Sequence, residues 1–161
     1  MSDNVYLGNP NLKKANTPIE FTEEQIIEFV QCQRDPVYFA NKYVKIVSLD
    51  EGLVSFKPYR FQEKLINNFH ENRFNICKMP RQTGKSTTVV SYLLHYAIFN
   101  DSVNIGILAN KAATARELLG RLQTAYENLP KWMQQGIMVW NKGSLELENG
   151  SKILAASTSA S

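Results

Sequence analysis

The residues Met79-Pro80-Arg81-Gln82-Thr83-Gly84-Lys85-Ser86 are of the types that polyphosphate chemistry requires, in the order it requires them. A phosphate-binding loop turns backbone N–H groups inward around the anion and places a glycine where chain and phosphate approach closely. It also sends a lysine to the terminal phosphates and offers a hydroxyl to Mg²⁺. Gly84, Lys85 and Ser86 supply the last three, and the pattern G-x-x-x-x-G-K-[ST] is met except at its first position, where Met79 stands for glycine. Arg81 would place a fixed positive charge beside the transferring phosphoryl group, as an arginine finger within the same chain; the plain alternative is a surface arginine paired with a carboxylate. Upstream stands Phe61-Gln62. A glutamine amide can satisfy both donor and acceptor on the outer edge of adenine while an aromatic neighbour covers the base. Taken alone, the same pair on an amphipathic helix reads as one core and one solvent residue.

A loop of this kind works only between a buried strand and the first turn of a helix, and the surrounding sequence predicts both. Phe74–Met79 is a short apolar-rich run suited to a buried strand, and Ser86–Phe99 is an apolar-rich helix ending at Asn100-Asp101. Val103–Ala109 predicts a second buried strand, and Ala112–Asn128 a helix closed by Pro130. Strand, loop, helix, strand, helix is the order of a parallel α/β sheet. Ile137–Trp140, Ser144–Leu147 and Lys152–Ala156 follow as further strands, the last two around Asn149-Gly150, a strong hairpin signal. Before the loop, Thr22-Glu23-Glu24-Gln25 matches a capping box and Asp35-Pro36 opens a second helix whose expected buried face is Val37, Ala40, Tyr43 and Val44. Lys45–Val47 and Leu53–Phe56 flank Asp50-Glu51-Gly52 as a hairpin, and Pro58 opens a helix to about Asn72. The expected organisation is a flexible arm over 1–20, rich in Asn, Pro, Gly and Lys; a helical and hairpin subregion over 21–57; and a partial nucleotide-binding domain over 58–161.

Composition bounds the remaining possibilities. At 161 residues, with 43% hydrophobic and 20% charged residues, the chain has room for one folded domain, which excludes a disordered or fibrous protein. A net charge of +3 neither requires nor excludes a nucleic-acid partner. Lys111, Arg116 and Arg121 lie around one helix with Glu117 among them and read as a solvated face. Cys32 and Cys77 stand far apart in apolar surroundings, so a disulfide framework is excluded and both are expected to fill space. His70 and His95 have no metal-ligand partners at useful spacing, and Trp132 and Trp140 read as packing residues. No apolar run approaches the ~18 residues of a membrane span, and no membrane role is expected.

Pro80-Arg81-Gln82-Thr83-Gly84-Lys85-Ser86-Thr87 resembles the deviant phosphate loop of the large terminase subunits of tailed bacteriophages, in which the first glycine is commonly absent. The resemblance is closest to T-even type phages and extends over residues 21–156. It includes Asp35-Pro36 with Tyr38-Phe39 and Tyr43-Val44, Phe61-Gln62, Gly106–Lys111, and Trp140–Ser144 with Leu145–Ser151. It implies the P-loop NTPase fold, a parallel sheet flanked by helices, and a place in the leading part of the motor that pumps DNA into a prohead. It implies that ATP sits with its phosphates on Arg81, Gln82, Thr83, Gly84, Lys85, Ser86 and Thr87, with Mg²⁺ at Ser86. Arg81 and Lys85 would act at the terminal phosphate, and Phe61 and Gln62 at the adenine. Implied partners are double-stranded DNA, a portal protein and the small terminase subunit, in the host cytoplasm at the prohead.

Hydrolysis needs an acidic residue near Mg²⁺ and a carboxylate to activate water, which the family places at the end of an apolar strand downstream of the loop. Nothing after Ser86 fits: Glu146 and Glu148 alternate with Leu145 and Leu147 and read as the solvent face of a hairpin strand. Leu49-Asp50-Glu51 precedes the loop and reads as a turn. The ending after a predicted strand favours truncation, with the acidic strand and a ribonuclease H-like nuclease domain lying beyond it. The sheet edges left open are expected to invite a complementary fragment or a second copy. On this reading the chain binds nucleotide without hydrolysing it alone. A helicase or translocase of superfamily two and a non-catalytic docking module acting through residues 1–45 are the alternatives.

Overall fold

The computed structural model describes residues 4–159. Thr22 caps the first helix, α1 (Glu23–Arg34), through a reciprocal box in which its hydroxyl accepts from the Gln25 N–H at 3.2 Å and the Gln25 side chain accepts from the Thr22 N–H at 3.1 Å. Asp35 caps α2 (Pro36–Tyr43), its Oδ1 accepting from the N–H groups of Val37 and Tyr38, both at 3.0 Å. The Glu28 carboxylate then knots the two helices together, accepting from the hydroxyls of Tyr38 and Tyr43 and pairing with Lys42 at 2.7 Å. The inward face of α2 is Pro36, Phe39 and Ala40, with Val44 just beyond it, whereas Val37 and Tyr43 are only half-buried. Phe39 meets His95 and Phe99 edge-on at the centre of the core.

The β3–β4 hairpin (Lys45–Ser48, Gly52–Ser55) turns through Leu49-Asp50-Glu51, with Gly52 in the left-handed region at φ 72°. Helices α3 (Arg60–Glu71), α4 (Lys85–Phe99) and α5 (Ala112–Glu127) follow close to their expected limits. Strands β5 (Asn104–Ala109), β6 (Ile137–Trp140), β7 (Ser144–Leu147) and β8 (Lys152–Ser157) form one sheet in the order β5-β8-β7-β6. The chain is therefore α/β with five helices among the described residues, but its sheet is mixed, not parallel: only β5 and β8 run in parallel. The β6–β7 and β7–β8 connections are too short to carry a crossover, which forces antiparallel pairing. One face of the sheet, with Ile107, Ile153 and Leu145, packs under α5, and α4 packs on α5. The other face carries Leu108 and Leu154, 64% and 58% exposed.

Two segments depart from expectation. Phe74–Met79 is not a buried strand: it runs through solvent with no ladder partner, Phe74 82% and Ile76 102% exposed. An apolar run is buried as a strand only if neighbours pair along it, and no strand among the described residues pairs with this one. Cys77 accordingly lies at the surface, while Cys32 fills the core as expected.

The second departure is the N-terminal arm, which is folded. β1 (Val5–Tyr6) and β2 (Asn9–Lys13) make a hairpin, and Leu12 is fully buried in the main core. Buried Gln134 staples it from the far side of the sequence: its Oε1 accepts from the Lys13 N–H at 3.0 Å. Its Nε2 donates to the carbonyls of Asn11, Leu129 and Tyr126 at 2.9, 3.1 and 3.3 Å. Lys14 bridges to Ile137 in parallel, so the arm covers the β6 edge of the sheet while the β5 edge stays open. A polar, proline-containing segment of this kind is held by partners more than 120 residues away, as Gln134 and Glu148 show.

Candidate functional site

Helix α4 begins at Gly84, whose backbone is left-handed at φ 71°, ψ 21°; two residues earlier Gln82 also has a positive φ of 62°. Two left-handed residues flanking Thr83 curl the chain so that it closes over the start of the helix, a conformation that costs on the order of 1 kcal/mol at Gln82. The Thr83 hydroxyl donates back to the Pro80 carbonyl at 3.0 Å and closes the loop. The first helical hydrogen bond runs from the Thr88 N–H to the Gly84 carbonyl at 2.9 Å. The N–H groups of Lys85, Ser86 and Thr87 therefore precede the helical ladder, at the positive end of a 15-residue helix. The Lys85 ammonium folds into the loop and donates to the carbonyls of Met79 and Pro80 at 3.5 and 3.4 Å. Contacts that long are weak ones. Lys85, Ser86 and Thr87 are half-buried, and Arg81 and Gln82 are exposed. Arg81 makes no ion pair among the described residues, so the paired surface arginine considered from the sequence is not what the structure shows.

Gln62 and Phe61 are brought to this loop from α3. Gln62 is 4% exposed: its Oε1 accepts from the Tyr59 N–H at 2.8 Å and its Nε2 donates to the Thr83 carbonyl at 3.2 Å. Phe61 and Tyr59 stack at the surface beside it, ring centroids 5.9 Å apart and planes 10° from parallel. Tyr59 was not singled out by its sequence because tyrosine is an unusual residue to precede a helix; the signal was Gln62 three positions on, which completes half of a capping box.

The carboxylates lie elsewhere. Glu146 faces solvent next to Lys152, at 3.6 Å, as its alternation implies. Glu148 does not: it is half-buried and holds the N-terminal arm, accepting from the Asn16 N–H at 2.7 Å and from Lys13 Nζ at 3.3 Å. Burial pushes its pKa up, but hydrogen bonds from backbone N–H groups and the Lys13 charge outweigh that and hold it below the usual carboxylate range. No carboxylate hydrogen-bonds or ion-pairs with residues 79–87 among the described residues. Nor does any group of three or more His, Cys, Asp and Glu there stand ready to hold a metal. No described helix is long and apolar enough to cross a membrane. Arg121 pairs with Glu117 one turn earlier at 2.7 Å, a solvated helix face.

An α/β chain with a glycine-lysine-serine start to α4, and no strand leading directly into that loop among the described residues, leaves several protein classes open. Comparison with protein families resolves the choice: residues 76–161, just over half of the chain, match the family described as terminase large subunit, T4likevirus-type, N-terminal. The chain belongs to that family, and its role is in a DNA-packaging terminase.

Proposed function

We propose that this chain is the nucleotide-binding part of a terminase ATPase of P-loop type, taking Mg²⁺-bound ATP on residues 81–87 and linking its turnover to movement of double-stranded DNA. The observation that carries the reading is the placement of Lys85. Its ammonium points into a loop closed by two left-handed residues at the N-terminus of α4, and only two long carbonyl contacts hold it there. An anion in the loop would take over that charge together with the free N–H groups of Lys85, Ser86 and Thr87. The donor set fits a polyphosphate: one ammonium, three backbone N–H groups, the exposed Arg81 and the Ser86 hydroxyl, with no carboxylate against it. Ser86 would supply one ligand to Mg²⁺, which neutralises phosphate charge when bound; the other protein ligand must come from outside the described loop contacts.

In this reading Arg81, exposed and without an ion pair among the described residues, reaches the terminal phosphate, and stacked Tyr59 and Phe61 offer a face to the base. Hydrolysis waits for a carboxylate that no described residue brings to the loop, so the chain binds nucleotide and turns it over only when another polypeptide segment supplies that group. The open β5 edge and the unpaired run at residues 74–79 are where such a segment, or a second copy of the chain, would add strands. The portal protein and the small terminase subunit are the partners of the assembled motor, in the host cytoplasm at the prohead.

The test is calorimetric titration of MgATP into the chain and into Lys85→Ala. Binding by the parent and about 10- to 150-fold weaker binding by the variant are expected, from loss of a charge-assisted contact worth about 1.5–3 kcal/mol. Absence of binding by the parent would defeat the proposal.

A further inference from the structure

The seat of the N-terminal arm is shaped for a passing backbone. Buried Gln134 presents both ends of its amide to the arm: its Oε1 accepts from the Lys13 N–H at 3.0 Å and its Nε2 donates to the Asn11 carbonyl at 2.9 Å. Glu148 accepts from the Asn16 N–H at 2.7 Å and from Lys13 Nζ at 3.3 Å. Gly136 leaves the room between them, since a Cβ there would lie 2.5 Å from the Ala15 Cα and 2.8 Å from its nitrogen. Lys14 bridges to Ile137, and fully buried Leu12 is the apolar anchor. Main-chain hydrogen bonds joined to one apolar and one charged side chain are the means by which a sheet edge takes an extended peptide, whichever chain supplies it.

The link from arm to body is held less firmly. Residues 17–22 form neither helix nor strand, and the chain docks again where Phe21 meets Phe29 edge-on, ring centroids 6.3 Å apart. Between these points Thr17 and Ile19 border a cavity of about 320 Å³ together with Trp132, Gln134 and Glu148, so the link spans a void where packing would otherwise fix it. The chain leaves the seat through Asn16, whose backbone is left-handed at φ 59°, a conformation that strains an L residue. We propose that this seat is an exchangeable peptide site whose second occupant is the arm of another copy of the chain, so that copies link by trading residues 4–15. An identical arm makes every contact named above, Lys13 to Glu148 included, so exchange forfeits none of them. The hinge alone differs: straightened, it sheds the left-handed turn, and residues 16–20 then span about 17 Å, enough to step across a contact between two copies. The inference does not depend on nucleotide.

The test is sedimentation equilibrium of the full chain and of three full-length variants. The parent is expected to show a concentration-dependent monomer–dimer equilibrium. Asn16→Gly keeps the N–H for Glu148 and removes the strain of the closed hinge, so it should raise the dimer dissociation constant at least fivefold. Gly136→Val blocks the seat and keeps the arm, whereas Leu12→Ser removes the anchor and keeps the seat. Each alone should be monomeric, and an equimolar mixture of the two should form a one-to-one dimer. A parent that is monomeric at every concentration would overturn the proposal. So would a dimer that persists in Leu12→Ser alone, which would place the contact elsewhere, such as the open β5 edge. A mixture of two folded variants that stays monomeric would overturn it as well. If either of these variants fails to fold, the parent and Asn16→Gly decide: an unchanged dissociation constant refutes exchange through this hinge.

Discussion

The N-terminal hairpin depends on one buried amide, and Gln134→Glu should show it through a pH signature. The substitution is isosteric, and one oxygen still accepts from the Lys13 N–H. The other oxygen would replace an NH₂ group that donates to the carbonyls of Asn11, Leu129 and Tyr126 at 2.9 to 3.3 Å. A carboxylate facing three carbonyls away from water is unfavourable, so the introduced carboxyl should stay protonated in the folded state, where its single O–H serves one carbonyl in place of three. Losing the remaining donor contacts costs about 1–2 kcal/mol. Keeping a group of ordinary pKa ~4.3 protonated costs up to about 3.7 kcal/mol more at pH 7 but only about 1 kcal/mol at pH 5. The native state then binds more protons than the unfolded one, so stability falls as pH rises through this range. Denaturant unfolding of variant and parent at both pH values should give a difference of about 5 kcal/mol at pH 7, falling to about 2 kcal/mol at pH 5. The pH 7 figure is smaller if the arm detaches first, which proteolytic cleavage within residues 4–21 would reveal. A variant-minus-parent difference below about 0.5 kcal/mol, or one independent of pH with the arm still protected, would refute the assignment of Gln134 as the staple.

Gly84→Ala should cost about 2–4 kcal/mol, from ~1 kcal/mol of left-handed backbone strain and the overlap with Gln62. Combined with Gln62→Ala the costs should fall short of additivity by about 1 kcal/mol, because the overlapping atom is gone; strict additivity in unfolding measurements would contradict the close approach. His95 is buried with its Nε2 against the Cys32 carbonyl and its Nδ1 without a partner among the described residues, and burial pushes its pKa down to about 4. A histidine depressed in the folded state makes stability fall as pH drops from about 6.5 towards 4, by up to about 3 kcal/mol, and His95→Phe should flatten that slope in unfolding curves. Of the two cysteines, Cys77 is exposed, whereas burial pushes the Cys32 thiol up to about 12. A thiol reagent should therefore modify one cysteine in the native protein and two in denaturant.

What could be read along the chain was whatever neighbours in sequence decide. Capping at Thr22 and Asp35, the left-handed Gly52 and Gly150, and the limits of α4, α5, β6 and β7 all follow from contacts between residues a few positions apart, and the structure places them accordingly. The loop residues Gly84, Lys85 and Ser86 belong to the same class, because a glycine in the left-handed region starting a helix is a local event. The outcomes decided only by tertiary structure depend on which strand finds a partner and which polar group finds a buried one. Phe74–Met79 has the composition of a core strand and stays in solvent because nothing pairs with it, whereas the polar arm docks on the core through Leu12 and Lys13 because Gln134 and Glu148 supply its hydrogen bonds from the far end of the chain. Gln62 makes the same point at the site. Its type suggested a contact with a base, and only the folded chain, through Tyr59 and Thr83, 21 residues from it in the second case, brings it beside the loop. Apolar pattern and residue type specify what a segment can bury or bind. Whether it does so depends on geometry built from distant residues, since a backbone or amide hydrogen bond gains its worth only where water is excluded and both partners are present.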